Sequence, residues 1–337
     1  MTDTAATAAP EPRLRGLVRL GAFFLLLAAV VSFTHWAITH GLRSTRTSQF
    51  GTLNRVMDGE VNADIVITGS SRAVVHYDPR VIEKSTGLTA FNIGINGSQT
   101  DMQVAFFKAY LKHNRKPKLV VHNLDTFTFV TSKEIYDPAQ YMPYLYEDEL
   151  YRPILRIHPD AWKWKYLPLY GYVALDLQLS WVDGLKAFIG IQPKENQYLG
   201  FEPRYLDWTG DFGAFKAANP DGVRFPIEPA GVKDLEDLLA TCQREGIRVL
   251  LAYSPVYHEM RQLERNRDEV FARFHALATR YGAEVIDYGG TDIAQHQQYF
   301  YNSQHLNAQG AELFSGLVAH DIAEALRPAV AATNAAR

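Results

Sequence analysis

The sequence predicts an α/β protein with a central parallel sheet, carried behind one N-terminal membrane-spanning helix. Three observations predict it. Residues 20–38 form an uncharged apolar run. From residue 64, short β-rich stretches alternate with helical ones, the mark of βαβ units. The first β-rich stretch, Asp64-Ile65-Val66-Ile67-Thr68, runs straight into Gly69-Ser70-Ser71-Arg72. A continuous apolar run bounded by a turn predicts a strand buried on both faces. In open α/β sheets the carboxyl ends of strands hold the ligand site, which makes Ser70 or Ser71 a candidate functional residue. The same stretch also fits a plain tight turn whose serine caps the next helix.

The chain has 337 residues, enough for one large domain or two ordinary ones. Hydrophobic residues make up 47% and charged residues 21%, a globular composition. The net charge of -3 offers no basic excess for nucleic acid. The single cysteine, Cys242, excludes an intrachain disulfide and a cysteine-rich zinc site, and its helical context marks it as a small core residue. The histidines lack metal-ligand spacing, and no Walker or dinucleotide glycine pattern occurs, so neither metal nor cofactor is expected.

Residues 1–19 are expected to form a cytoplasmic tail, its first part rich in Ala, Thr and Pro. Residues 20–38 would span about 28 Å as a helix, close to a bilayer's hydrocarbon core of roughly 30 Å. Trp36 lies near the far end, where aromatics favour the interface. Arg13, Arg15 and Arg19 predict a cytoplasmic N-terminus, against the weaker opposing pull of Arg43 and Arg46. The run exceeds a usual signal-peptide core and lacks a small-residue cleavage site, so an uncleaved signal anchor in a bacterial plasma membrane is preferred to a cleaved signal. The body would then lie outside the cytoplasm.

Residues 39–61 are expected to be a polar connector with a short helix. Strands are expected at 64–68, 89–93 and 118–124, with helices at 79–86 and 100–114. The aromatic-rich residues 126–225, too long for an ordinary loop, predict an inserted subdomain with short helices. Its aromatics either form their own core or stack on sugar rings. The rhythm then resumes with a helix at 232–244, a strand at 247–253, a long helix at 258–281, a strand at 283–286 and a final helix at 308–326. The α/β domain thus comprises 62–125 and 226–327, with a frayed tail at 328–337.

Two strand-end loops carry the chemistry. One is Gly69-Ser70-Ser71. The other runs from Asn302 through Ser303, Gln304 and His305 to Leu306-Asn307, with Gly310-Ala311 just beyond. Together they resemble the SGNH (GDSL-type) hydrolase superfamily, in a membrane-anchored bacterial form. The resemblance implies a flavodoxin-like three-layer sandwich. It makes Ser71 the nucleophile, His305 the general base and Gly97, in Asn92-Ile93-Gly94-Ile95-Asn96-Gly97, an oxyanion donor beside the Ser71 N–H. The pairing has a chemical reason: a serine hydroxyl is a poor nucleophile until an imidazole within reach takes its proton. Two positions depart from the family pattern. Asn302 stands where the family has the triad aspartate; it can orient an imidazole but brings no negative charge. The third block, Val121-His122-Asn123-Leu124-Asp125, matches poorly and leaves Asn123 a weak oxyanion candidate. Asp287 and Asp292 are nearby acids. Arg72 is either a structural or surface arginine or a contact for an anionic substrate.

The resemblance implies an exported esterase or O-acyltransferase acting on acyl groups, acetyl foremost, of an envelope or secreted polysaccharide. Its partners would be that polymer, the membrane and other membrane proteins of an acylation system. The alternative is a catalytically weak scaffold or carbohydrate-binding component of a polysaccharide export or modification machine, favoured by Asn302 and the missing third block.

Overall fold

The computed structural model describes residues 12–326, with side chains from residue 14. The tail expected at 328–337 and residues 1–11 of the one expected at 1–19 lie outside the described residues. Pro12 already begins helix α1, Pro12–Ser44, so the last part of the expected cytoplasmic tail is helical. Among the described residues, this helix alone is long and apolar enough to cross a membrane. Its side chains are exposed from Leu20 to Val30, but Ala37, Ile38 and Leu42 are buried. The apolar run therefore changes host near Trp36, and its last two residues pack against protein.

The expected connector is part of the folded body. Helix α2, Ser48–Met57, buries Leu53, Asn54 and Val56. Then come β1 (Ile65–Thr68), α3 (Ser71–His76), α4 (Pro79–Thr86), β2 (Ala90–Asn92), α5 (Thr100–His113) and β3 (Leu119–Asn123). Local signals set the boundaries. Asp78 caps α4 by accepting from Arg80 N, Pro79 takes the first helical position, and Gly87 ends the helix in the left-handed region.

The insertion contributes a 3₁₀ segment (Pro138–Tyr144) and helices α6 (Asp148–Ile157), α7 (Ala161–Tyr166), α8 (Tyr170–Ala174), α9 (Gln178–Phe188) and α10 (Phe212–Ala218). It has no core of its own. Tyr141, Tyr144, Leu150, Ile154, Trp164 and Tyr172 join one hydrophobic cluster with Phe106, Phe107 and Tyr110 of α5. Tyr136, Tyr146, Trp162, Tyr166 and Tyr205 stay exposed. Beyond the insertion lie α11 (Pro229–Glu245), β4 (Arg248–Tyr253), α12 (His258–Leu263), α13 (Arg267–Tyr281), β5 (Glu284–Asp287), β6 (Phe300–Asn302), β7 (His305–Leu306) and α14 (Ala308–Ala325). The single helix expected over 258–281 is two. The break falls at Glu264–Asn266, where Glu264 turns inward to accept from Tyr253 and Thr126, and Asn266 bonds the backbone of Phe225 on both sides of its peptide.

The main sheet is parallel, in the order β2-β1-β3-β4-β5. Side-chain alternation divides the strands between two layers. Val66, Val120 and Leu251 pack with α5, α11 and α13, whereas Ile65, Ile67, Val121 and Leu250 pack with α3, α4 and α14. This is a three-layer sandwich with a flavodoxin-like strand order. Cys242 is buried in the first of these layers.

Candidate active site

Gly69, at φ +145°, ends β1. A Cβ there would lie 2.9 Å from Asn123 Cβ and 3.0 Å from Ala73 Cβ, so the elbow into α3 closes on β3 only with glycine. The two roles open to the serine pair are both realised, on adjacent residues. Ser70 is the helix cap, its Oγ accepting from Arg72 N at 3.3 Å. Ser71 is the first residue of α3, where an N–H has no intrahelical acceptor, and its side chain faces outward to His305.

His305 reaches this point from the antiparallel hairpin of β6 and β7. Asn302 closes the hairpin. Its Oδ1 accepts from Gln304 N and His305 N, each at 3.0 Å, and lies 3.0 Å from His305 Nδ1. Two backbone N–H groups aimed at one side-chain atom identify that atom as oxygen. The ring nitrogen facing it must then donate, so His305 carries its proton on Nδ1. Nε2 is left to accept from Ser71 Oγ at 2.8 Å. Tyr301 stacks on the imidazole at 5.4 Å. Burial lowers the His305 pKa to about 4, helped by the charges of Arg72 and Arg204. The ring is therefore neutral, as a general base must be.

Arg72 is 3% exposed and belongs to a structural ion pair. Its Nη1 donates to Asp125 Oδ1 at 2.9 Å and to Leu124 O at 3.3 Å, its Nη2 donates to Ser254 O, and the guanidinium lies over the Tyr253 ring. It ties the elbow to the ends of β3 and β4. His76 joins the same frame. Its Nε2 accepts from Leu306 N at 3.0 Å, and Nδ1 lies 2.8 Å from Ser254 Oγ. Accepting at Nε2 leaves Nδ1 as the protonated nitrogen. Burial, then the charge of Arg72, holds its pKa well below the usual value.

The second block is tied to the elbow by Ile95 N, which donates to Gly69 O at 3.0 Å. Gly94 N is committed to Asn92 Oδ1 at 2.9 Å. Gly97 is exposed, at φ +63°, with the Tyr136 ring lying where a Cβ would project. Asn123 requires a correction. It is 1% exposed, its Nδ2 donates to Leu124 O at 3.2 Å, and its Oδ1 accepts from Tyr77 OH at 2.9 Å. The side chain is spent on holding the end of β3 rather than turned to the cleft. Asp287 bonds Arg267 and Gly289 N, and Asp292 contacts His296; the atom facing His305 Nδ1 is Asn302 Oδ1. A cavity of about 270 Å³ beside the elbow is lined by Arg72, Phe127, Phe215, Phe225, Met260 and Gln304. Among the described residues, no group of three or more His, Cys, Asp or Glu is arranged to hold a metal ion.

Sequence reasoning missed the pairing of Arg72 with Asp125 and the bridge from His76 to Leu306 and Ser254. The first had a faint signal, an acid directly after a buried strand. The second joins segments too far apart in sequence for any local pattern to show.

The chain is an α/β protein with a parallel three-layer sandwich, and a serine and a histidine meet at the carboxyl edge of its sheet. Element order and sheet order agree with the SGNH resemblance of the sequence. No known protein family matches the chain, and no curated protein does. Among solved structures it is similar to a GDSL-like lipase from Bacteroides thetaiotaomicron, at 13% identity and a TM-score of 0.38, over 78% of this chain and 88% of that one. It is also similar to an acetyl xylan esterase, at 14% identity and a TM-score of 0.37, over 78% of this chain and 100% of that one.

Proposed function

We propose that the protein is a serine esterase or O-acyltransferase of the SGNH type. The relay of Ser71 Oγ, His305 Nε2, His305 Nδ1 and Asn302 Oδ1 carries this reading. Ser71 Oγ attacks the ester carbonyl carbon and gives its proton to His305 Nε2. The carbonyl oxygen becomes an oxyanion facing the N–H groups of Ser71 and Gly97. As the intermediate collapses, Nε2–H protonates the leaving alkoxide and the acyl group stays on Ser71. Water or an acceptor hydroxyl then repeats the steps in reverse. Removing one oxyanion donor in such sites costs about 100- to 1000-fold in rate.

The substrate in this proposal is an acyl group, acetyl foremost, on an envelope or secreted polysaccharide. The exposed Tyr136 ring beside Gly97 supports it, since it offers a flat face on which a sugar can stack. Helix α1 would anchor the enzyme in the plasma membrane with its body outside the cytoplasm, and a transferase would draw its acyl donor from a membrane-protein partner. A non-catalytic carbohydrate-binding scaffold is the second reading, favoured by the uncharged Asn302.

The test is labelling of the full chain with a fluorophosphonate probe, beside Ser71→Ala and His305→Ala. Labelling of the wild type that both variants lose is expected. A folded wild type that stays unlabelled would leave the scaffold standing.

A further inference from the structure

We propose that the cavity between α12 and the start of α13 is a binding site for an oxyanion, the phosphate or carboxylate group of a small ion or of an acidic polymer. Three arginines, Arg261, Arg265 and Arg267, line it, and its volume is about 360 Å³. That lies near the lower end for ligand pockets, about 300–1,000 Å³. Ser71, His305 and Asn302 are not among its lining residues, so the site is separate from the relay. Its place in the fold suits a ligand. Arg261 follows β4 and donates through Nη1 to Gly289 O, just past the end of β5, at 3.1 Å. This is the carboxyl edge of the parallel sheet, where open α/β folds bind their ligands.

The state of the three arginines carries the proposal. A guanidinium keeps its charge, and its planar fork matches the oxygens of a phosphate or carboxylate. Arg267 is already neutralised: its Nη2 pairs with Asp287, and its Nε lies 3.6 Å from Glu264 Oε2. Arg261 and Arg265 are not. Among the described residues, their side chains donate to backbone carbonyls alone, Gly289 O for Arg261 and Asp221 O for Arg265. Those bonds hold the two side chains without cancelling their charge, and they leave the other N–H groups of each fork unspent. The carboxylates at the cavity do not reverse the balance. Glu264 accepts from Tyr253 and Thr126 and faces Arg267. Asp268 lines the cavity, is exposed, and has no ion-pair partner among the described residues. Two uncompensated cations thus meet one uncompensated anion, a positive surplus before His258, which also lines the cavity, is counted.

The experiment titrates the full chain, in non-ionic detergent at low salt, with inorganic phosphate and reads the heat of binding. Saturable binding is expected. Arg261→Gln and Arg265→Gln should each weaken it about tenfold, since each removes a charge-assisted bond. Added sodium chloride should weaken it too, because Arg265 is exposed. Asp268→Asn removes the opposing charge without touching an arginine and should tighten binding about two- to fivefold. Arg280→Gln, at the far end of α13, should change nothing. Urea unfolding without phosphate checks the fold of each variant, and Asp268→Asn still decides if an arginine variant fails to fold. Polygalacturonate and uncharged dextran then identify the source of the oxyanion. Displacement of phosphate by polygalacturonate alone assigns it to an acidic polymer, and displacement by neither assigns it to a free ion. Displacement by dextran would overturn recognition by charge. Absence of saturable binding would overturn the site, as would binding that the arginine and Asp268 variants alter no more than Arg280→Gln does.

Discussion

Asn302 presents its amide oxygen, not its nitrogen, to His305 Nδ1, because the backbone N–H groups of Gln304 and His305 hold that oxygen in place. In a serine-protease triad, exchanging Asp for Asn costs about four orders of magnitude because the amide imposes the wrong tautomer. Here the hairpin prevents that error. What Asn302 omits is only the charge that would stabilise imidazolium.

Asn302→Asp should therefore gain little in rate, less than about 100-fold, far short of the protease figure. It should instead raise the His305 pKa from its value of about 4, since a carboxylate beside the ring favours the charged form. The acid limb of kcat/KM for p-nitrophenyl acetate should move upward by a unit or more. Asn302→Leu should lose about 100-fold or more by freeing the ring. An acid limb that Asn302→Asp leaves in place would contradict the assignment of His305 as base.

The Arg72–Asp125 pair has both side chains 3% exposed. Asp125→Ala leaves a buried guanidinium without its counter-charge, which typically costs about 3–5 kcal/mol. Urea unfolding should show that loss, with fluorophosphonate labelling falling in proportion to unfolded protein. Full stability in the variant would mean the pair does not hold the elbow.

The parts of this fold legible in the sequence are those with a local cause. Ile65–Thr68 running into Gly69 marks a buried strand and its turn, Asp78-Pro79 and Gly87 mark both ends of α4, and Asn307 caps α14 three residues before Gly310. Ser71 and His305 were legible because their loops carry a spaced pattern. The insertion's short helices were legible too, but not what they pack on: Tyr144 bonds Asn54 and Tyr172 packs on His35, residues that no window around them contains. The same holds for the end of the apolar run. Ala37 and Ile38 look no different in sequence from lipid-facing neighbours, and only the approach of Gly184 tells them apart.

Tyr136 is exposed, and its ring lies over Gly97. If it receives a sugar ring, Tyr136→Ala should leave kcat/KM for p-nitrophenyl acetate within about twofold while lowering that for an acetylated polysaccharide about tenfold, through KM. Loss of a stacking face is worth roughly 1 kcal/mol or somewhat more. Equal effects on both substrates would remove the sugar platform from the proposal.

His122 supplies a test of stability against pH. It sits in the centre of β3, opposite Thr68 and Leu251, 1% exposed, and neither ring nitrogen has a hydrogen-bond partner. Burial lowers its pKa from 6.5 to about 4. Between those values the unfolded chain takes up a proton that the folded one refuses, so stability falls as pH drops through this window and is fully present above it. Below both values the penalty for one such histidine is about 3 kcal/mol, at 1.36 kcal/mol per unit. His76 and His305 act with the same sign, so the wild type should be strongly acid-sensitive. His122→Leu fills similar volume without titrating. Unfolding free energies from urea titrations at neutral pH and near pH 4.5 should then differ by about 2–3 kcal/mol less in His122→Leu than in the wild type. An unchanged difference would mean that His122 is protonated in the fold or reached by water.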